Sequence, residues 1–283
     1  CDQIDERAKK ALWTHRSVGG FEAALAELQG TYRHRPDNRT EQSIENLQRA
    51  TLQMFDDMNA PFQATTFSYE LHDFLDTFDS IFTLNQDLLM ERCYLNRRHI
   101  IATHYVPGVE LVDNQDKRDC RVPLDGLLRP SQNFSLIQNQ KPYFKLHGSC
   151  NWRDNNNGHF LVMGGYKEKS IKEHALLSWY HKEFRKSLLA GVRLMVIGYS
   201  FGDEHINRVI AEAAGTGLFK LFIIDPNGID AVRRDMDRTA AIPSESELFK
   251  QLKPCLVGGS RRSLLETFGN GTAECRKVMR FFE

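Results

Sequence analysis

The chain has 283 residues, 41% hydrophobic and 26% charged, with 37 basic and 37 acidic side chains. That length can bury a sizeable core in one large domain or in a domain with a lobe. Zero formal net charge excludes a global field that would gather nucleic acid or an anionic membrane. No apolar run approaches the roughly 20 residues of a membrane helix.

In chain order, residues 1–80 carry helical periodicity. ERAKKALW, GFEAALAELQGTYR, EQSIENLQRATLQMFDDMNA and SYELHDFLDTF all space their apolar residues at helical intervals. PDNRT at 36–40 has turn chemistry. The pattern changes at Asp79. DSIFTLN is a short buried-strand pattern, and DLLMERCYL then reads as helix. Residues 96–142 have weak periodicity and read as a long irregular insertion. PYFKLHG is a strand, and NWRDNNNGHFLVMGG holds an Asn-rich turn of a hairpin. KSIKEHALLSWYHKEFRKSLLAG reads as one amphipathic helix ending at Gly191. VRLMVIGYSFGDEHINRVIAEAAG is strand, turn and helix, its strand apolar enough to be covered on both faces. GLFKLFIIDPNG is strand then turn, and AVRRDMDR onward is helical or mixed. Buried strands alternating with helices predict an α/β fold: a doubly wound, Rossmann-like parallel sheet.

Cys1, Cys93, Cys120, Cys150, Cys255 and Cys275 form no C-x-x-C pair. This argues against a zinc ribbon or a disulfide framework, and for reduced thiols in a cytosolic protein. No signal-peptide segment opens the chain, so a cytoplasmic location is expected.

Ligands of open α/β sheets bind beyond the carboxyl ends of the strands. There the strands deliver Asn85, Gln86 and Asp87; His147, Gly148 and Ser149; Gly198, Tyr199, Ser200, Phe201, Gly202 and Asp203; and Asp225, Pro226 and Asn227. Each has a plain structural reading. Asp87 can cap the next helix, a lone His147 can be a satisfied core histidine, Gly198 and Gly202 can serve turns, and Asp225-Pro226 can simply end a strand. Their coincidence at successive strand ends favours a site. Asp203 reads as the cap of the helix from Glu204. His174 and His181, seven apart, could share a helix face, but no third ligand is evident, which argues against a metal site. Trp152 reads as packing. GGSRRSLLETFG could form an anion-binding turn, although such clusters are common.

FTLNQDLLME, KLHGSCNW, VIGYSFGDEHIN and IIDPN together resemble, in order and rough spacing, the motifs of sirtuin-like (silent information regulator-like) NAD-using domains. The resemblance spans about residues 68–230. It is closest to the bacterial branch found in NAD-depleting antiphage defence proteins. It implies a helical region at 1–80, a sirtuin-like core at 81–230 with the insertion at about 96–142, and a C-terminal extension at 231–283. The four-cysteine zinc module of the deacetylases is absent from the sequence, as is the family's opening strand with its G-A-G-x-S loop. With Cys1 at the start, an N-terminal truncation is expected.

The resemblance further implies NAD as substrate, no zinc, and hydrolysis to ADP-ribose and nicotinamide. Asn85 would position a ribose hydroxyl and a water, and His147 would be the base. Asp87 would support the nicotinamide-ribose pocket or cap its helix. Gly148, Gly198 and Ser200 would bind the cofactor, the last two along its adenosine half. Asp225 and, more weakly, Asn227 would accept ribose hydroxyls or end their strand. A homo-oligomer and a partner ATPase or defence subunit are the partners implied. The alternatives are a non-catalytic NAD- or ADP-ribose-sensing module and an inactive fragment.

Overall fold

The computed structural model describes residues 4–17, 19–59, 69–95, 104–112, 126–156, 158–189, 191–233, 245–268 and 273–283. Parts of the sequence readings at 96–142 and 231–283, together with Cys1 and Cys120, lie outside these residues. Helices α1 (Glu6–His15), α2 (Gly20–His34), α3 (Asn38–Asn59) and α4 (Tyr69–Leu75) come first. Strand β1 (Ile81–Thr83) leads into a π-helical turn, Met90–Leu95. Strands β2 (His104–Tyr105), β3 (Val109–Leu111), β4 (Leu128–Pro130), β5 (Lys141–Lys145), β6 (Gly148–Arg153) and β7 (His159–Leu161) follow. Then come α5 (Lys167–Glu173), α6 (Ala175–Leu189), β8 (Arg193–Ile197), α7 (Glu204–Ala214), β9 (Lys220–Ile224) and α8 (Asp230–Arg233). The chain ends with α9 (Glu247–Leu252), β10 (Leu256–Ser260), α10 (Leu264–Phe268) and α11 (Ala273–Met279). This is a mixed α/β fold with mainly parallel strand pairing, as the alternating pattern predicted.

Two compact units divide the chain, Cys1–Thr66 with Asp79–Tyr180 and Phe67–Phe78 with His181–Glu283. In the first, α1, α2 and α3 pack through Ala8, Ala11, Ala24, Leu25, Leu28 and Leu47. Small alanines on α1 and α2 let the helices approach closely, so this contact tolerates little added volume. Asp5 caps α1 by accepting from the Arg7 and Ala8 N–H groups at 2.9 and 3.1 Å, and it also accepts from Ser43 and Asn46 of α3. Asp37 opens α3 by accepting from Thr40 N–H at 2.9 Å.

Both carboxyl pKa values are lowered. Burial works to raise that of Asp5, but bonds from Ala8, Asn46, Ser43 and Arg7 outweigh it; bonds from Thr40 lower that of Asp37. A carboxyl with a depressed folded pKa stabilises fully above its unfolded value, 3.8 here, and stops doing so as pH falls through the folded value. Asp5→Ala is therefore expected to cost about 1 kcal/mol at about pH 7, and almost nothing extra at about pH 2. Thermal unfolding of both proteins at the two pH values measures the difference.

The first unit holds a parallel ladder in the order β1-β5-β2 and a four-stranded sheet in the order β3-β4-β6-β7. In β1 and β5 the partners are Ile81 with Tyr143, Phe82 with Phe144, and Thr83 with Lys145. The Phe82 and Phe144 rings stack across this pair at 4.6 Å. Trp152 is 1% exposed and stacks on Phe160 at 5.9 Å, the packing role expected of it. The Asn-rich turn does close a hairpin. β6 and β7 pair antiparallel, and Asp154 accepts from the N–H groups of Asn156 and Gly158.

The insertion is not irregular throughout. Its described part contains β2, which joins β5, and β3 and β4, which pair with each other. Strands of two or three residues carry too little alternation to register in a sequence pattern. The expected helix from Lys169 to Gly191 is instead two helices, α5 starting at Lys167 and broken from α6 at His174, whose backbone is extended (φ −106°, ψ 111°). His174 therefore ends α5 while His181 lies within α6, and the shared helix face does not form. The ring of His174 meets Phe160 edge-on at 4.6 Å, a contact that no local periodicity encodes.

In the second unit β10, β9 and β8 form a parallel ladder in that order. β9 is central, and four of its five residues are buried. Among the described residues β8 pairs with β9 alone, and Ile197 is 36% exposed, so the better-buried β9, not β8, is the strand covered on both faces. An aromatic cluster supports the unit: Phe74 stacks on Phe268 at 4.3 Å, and Phe222 lies 5.6 Å from Phe281. The GGSRRSLLETFG turn is a capping box. Ser263 Oγ accepts from Glu266 N–H, and Glu266 accepts from Ser263 N–H. The carboxylate of Glu266 holds the position that an anion would take.

Candidate active site

The singled-out residues fall into two groups, one within each unit. In the first unit, the register that pairs Thr83 with Lys145 puts Asn85 and His147 each two residues beyond the carboxyl ends of neighbouring parallel strands. Leu146 N–H donates to Thr83 O at 2.9 Å, which prolongs the pairing into the turn. Asn85 is exposed, and its N–H donates to Thr83 Oγ1 at 3.1 Å. His147 is 3% exposed. Its carbonyl accepts from Val162 N–H at 2.8 Å.

The corner between Asn85 and the π-helical turn is held from several sides. Gln86, 5% exposed, donates to Val162 O at 2.6 Å and to His147 O at 3.5 Å. Its own carbonyl accepts from Cys150 N–H at 3.0 Å. Asn59, the last residue of α3, accepts from Leu88 N–H at 2.8 Å, and its carbonyl accepts from Arg92 at 2.6 Å. Asp87 accepts from Leu89 N–H at 2.9 Å, which is turn-capping chemistry. Beneath the corner Lys145, 0% exposed, donates to Asp87 O and pairs with Glu91 at 2.6 Å. Burial raises the pKa of the Glu91 carboxyl against the opposing pull of Lys145. Burial, then the Glu91 and Asp87 charges, holds the Tyr143 hydroxyl well above its ordinary range.

Gly148 has φ +76°, and a Cβ there would lie 2.4 Å from Phe160 O. The fold itself therefore requires glycine at this position. Cys150 and Cys93 are buried, with thiol pKa values raised chiefly by that burial, the setting of an inert structural thiol.

In the second unit, β8 and β9 bring Gly198, Ser200, Asp225 and Asn227 to the carboxyl ends of neighbouring parallel strands. Gly198 has φ +62°, is exposed, and has nothing within 4 Å of a built Cβ. Its N–H donates to Ile224 O at 2.8 Å. Ser200 is exposed. Phe201 takes the left-handed conformation (φ 56°), a strain of the kind that surrounding structure must hold in place. Asn207 of α7 holds it, donating to Phe201 O at 2.8 Å.

Asp203 occupies the cap position of α7, but its side chain makes no capping bond there. The turn is fastened instead by Tyr199, whose hydroxyl meets Asn207 Oδ1 at 2.9 Å and accepts from Asp203 N–H at 3.2 Å. Burial, then the charge of Asp203, raises the Tyr199 pKa. Removing the hydroxyl by Tyr199→Phe is expected to cost about 1–2 kcal/mol, read by denaturant unfolding. Asp225 is 8% exposed and accepts from Asn227 N–H at 2.8 Å. Gly228 N–H donates to Asp225 O at 2.7 Å, with φ +58° at the glycine. Asp225-Pro226-Asn227-Gly228 is thus a tight turn that closes on its own first carboxylate. Asn227 is exposed.

Sequence reading missed Lys145, Glu91, Asn59 and the bracing role of Gln86. One signal was available. A lysine inside the apolar strand PYFKL needs a buried partner, and Glu91 is the acid that opens the neighbouring helical turn.

Residues 79–242 match the family model described as a SIR2-like domain, more than half of the chain. No curated protein matches the chain.

Proposed function

The chain belongs to the SIR2-like family, and on that footing we propose that it hydrolyses NAD to ADP-ribose and nicotinamide. SIR2-like domains use NAD as a substrate. The observation that carries the reading is the register of β1 and β5, which sets Asn85 and His147 at adjacent strand ends.

Nicotinamide leaves NAD as a neutral base, so its departure needs no general acid. The reaction needs support for an oxocarbenium-like ribose and a water freed of a proton. Asn85, exposed and uncharged, hydrogen-bonds ribose hydroxyl and water without repelling the pyridinium. A neutral His147 imidazole takes the proton, directly or through the ribose hydroxyl. Asp87 supports the ribose pocket through the turn that it caps. Gly148, its Cα facing β7, serves the cofactor site by holding the turn that follows His147. Within the second unit, the exposed Gly198 and Ser200 and the turn residues Asp225 and Asn227 are the proposed nucleotide-binding positions, a reading that rests on the family motifs.

The reading includes no zinc, a cytoplasmic site of action, a homo-oligomeric enzyme, and a role in antiphage defence with a partner ATPase or defence subunit. Among the described residues no helix is long and apolar enough to cross a membrane.

The test is product analysis after incubation with NAD. Equimolar nicotinamide and ADP-ribose are expected. NAD binding without nicotinamide release would replace hydrolysis by a sensing role. Product formed only when an acylated peptide is added would replace it by deacylation.

A further inference from the structure

Lys145 is a fully buried charged side chain in the first unit. Alternation along β5 puts it on the same face as Tyr143. Its Nζ donates to the backbone carbonyl of Asp87 and to the Glu91 carboxylate, one turn further on. Both side chains of the pair are only 1% exposed. The lysine therefore grips the segment after Asn85 at two points, from the end of the strand that leads to His147. The Gln86 amide grips it from the other direction, at Val162 and His147.

Stability alone is a poor reason for this arrangement. Taking two ions out of water is costly, and apolar side chains of similar volume often serve a fold as well or better. What an apolar pair cannot do is hold a backbone carbonyl. The Asp87 carbonyl lies two residues from Asn85, so fixing it fixes where the exposed amide stands relative to the end of β5.

We propose that Lys145, held in place by Glu91, is a positioning residue that sets the Asn85 corner against His147. The proposal rests on the reading of Asn85 and His147 as the reacting pair. Small misplacement of a reacting group costs about 100-fold in rate, so the effect belongs in kcat.

The test is the double variant Lys145→Met with Glu91→Leu in the full chain, which removes both charges together. The melting temperature is expected to hold or rise. kcat for NAD is expected to fall about 100-fold with KM within about twofold. Amide exchange over residues 84–89 is expected to quicken about tenfold while that of β9 is unchanged. A double variant with parental kcat overturns the proposal, as does a loss that follows the melting temperature. If the double variant does not fold, the isosteric Glu91→Gln is read in the same way, with a kcat loss of about tenfold expected and parental kcat overturning. If the parent protein releases no nicotinamide, hydrolysis fails as the function. Exchange at residues 84–89 then decides the positioning role, and unchanged protection overturns it.

Discussion

Replacing His147 by alanine is expected to lower nicotinamide release from NAD by about 10²- to 10⁴-fold, the usual weight of a positioned proton-transfer group, and replacing Asn85, which only hydrogen-bonds, by about 10²- to 10³-fold. The two variants separate chemistry from folding in different ways. Asn85 is exposed, so Asn85→Ala should stay within about 0.5 kcal/mol of parental stability and lose rate alone. His147 is 3% exposed, so His147→Ala also opens a cavity and lowers the melting temperature. His147→Gln fills more of that space and should restore stability without restoring rate. Parental turnover in His147→Gln would remove the imidazole from the mechanism and leave it as a core side chain. Parental turnover in Asn85→Ala would remove the reading of the β1 corner as the ribose end of the site.

The second large effect is on folding. Gly148→Ala is expected to cost about 2–5 kcal/mol, from the left-handed backbone together with overpacking. The added Cβ would sit 2.4 Å from Phe160 O and 2.9 Å from Leu161 Cα. These are backbone atoms of β7, so no side chain can swing aside. Against a total stability of about 5–15 kcal/mol, that loss unfolds a large fraction of the protein on modest warming. Gly198→Ala is the informative comparison. It has a similar positive φ but open space where the Cβ would go, so only the backbone cost of about 1–2 kcal/mol applies. Denaturant unfolding of the two variants side by side should differ by more than about 1 kcal/mol. Equal losses would mean that the β6–β7 hairpin shifts to admit the methyl group.

The two glycines illustrate what sequence could and could not show. In the sequence both follow an apolar strand pattern, and both read as places where backbone meets a ligand. Only the fold separates them: Gly148 is set by its neighbour strand, while Gly198 faces open space. Asp203 teaches the same lesson. It has good cap chemistry and stands at the cap position, yet the turn is fastened by Tyr199 and Asn207. Both of these lie in the segment singled out as a motif.

Local pattern determined the α/β class, the strands β1, β5, β8 and β9, the hairpin at Asp154 and the family. Each of these depends on residues within a few positions of one another: apolar runs, turn chemistry and short motifs. Tertiary structure alone decided the register of β1 on β5, the break at His174, the short strands of the insertion and the pairing of Lys145 with Glu91 across 54 residues. These depend on which distant segment fills a space or satisfies a buried charge. A strand's own residues say that it must be covered and paired. They do not say by what.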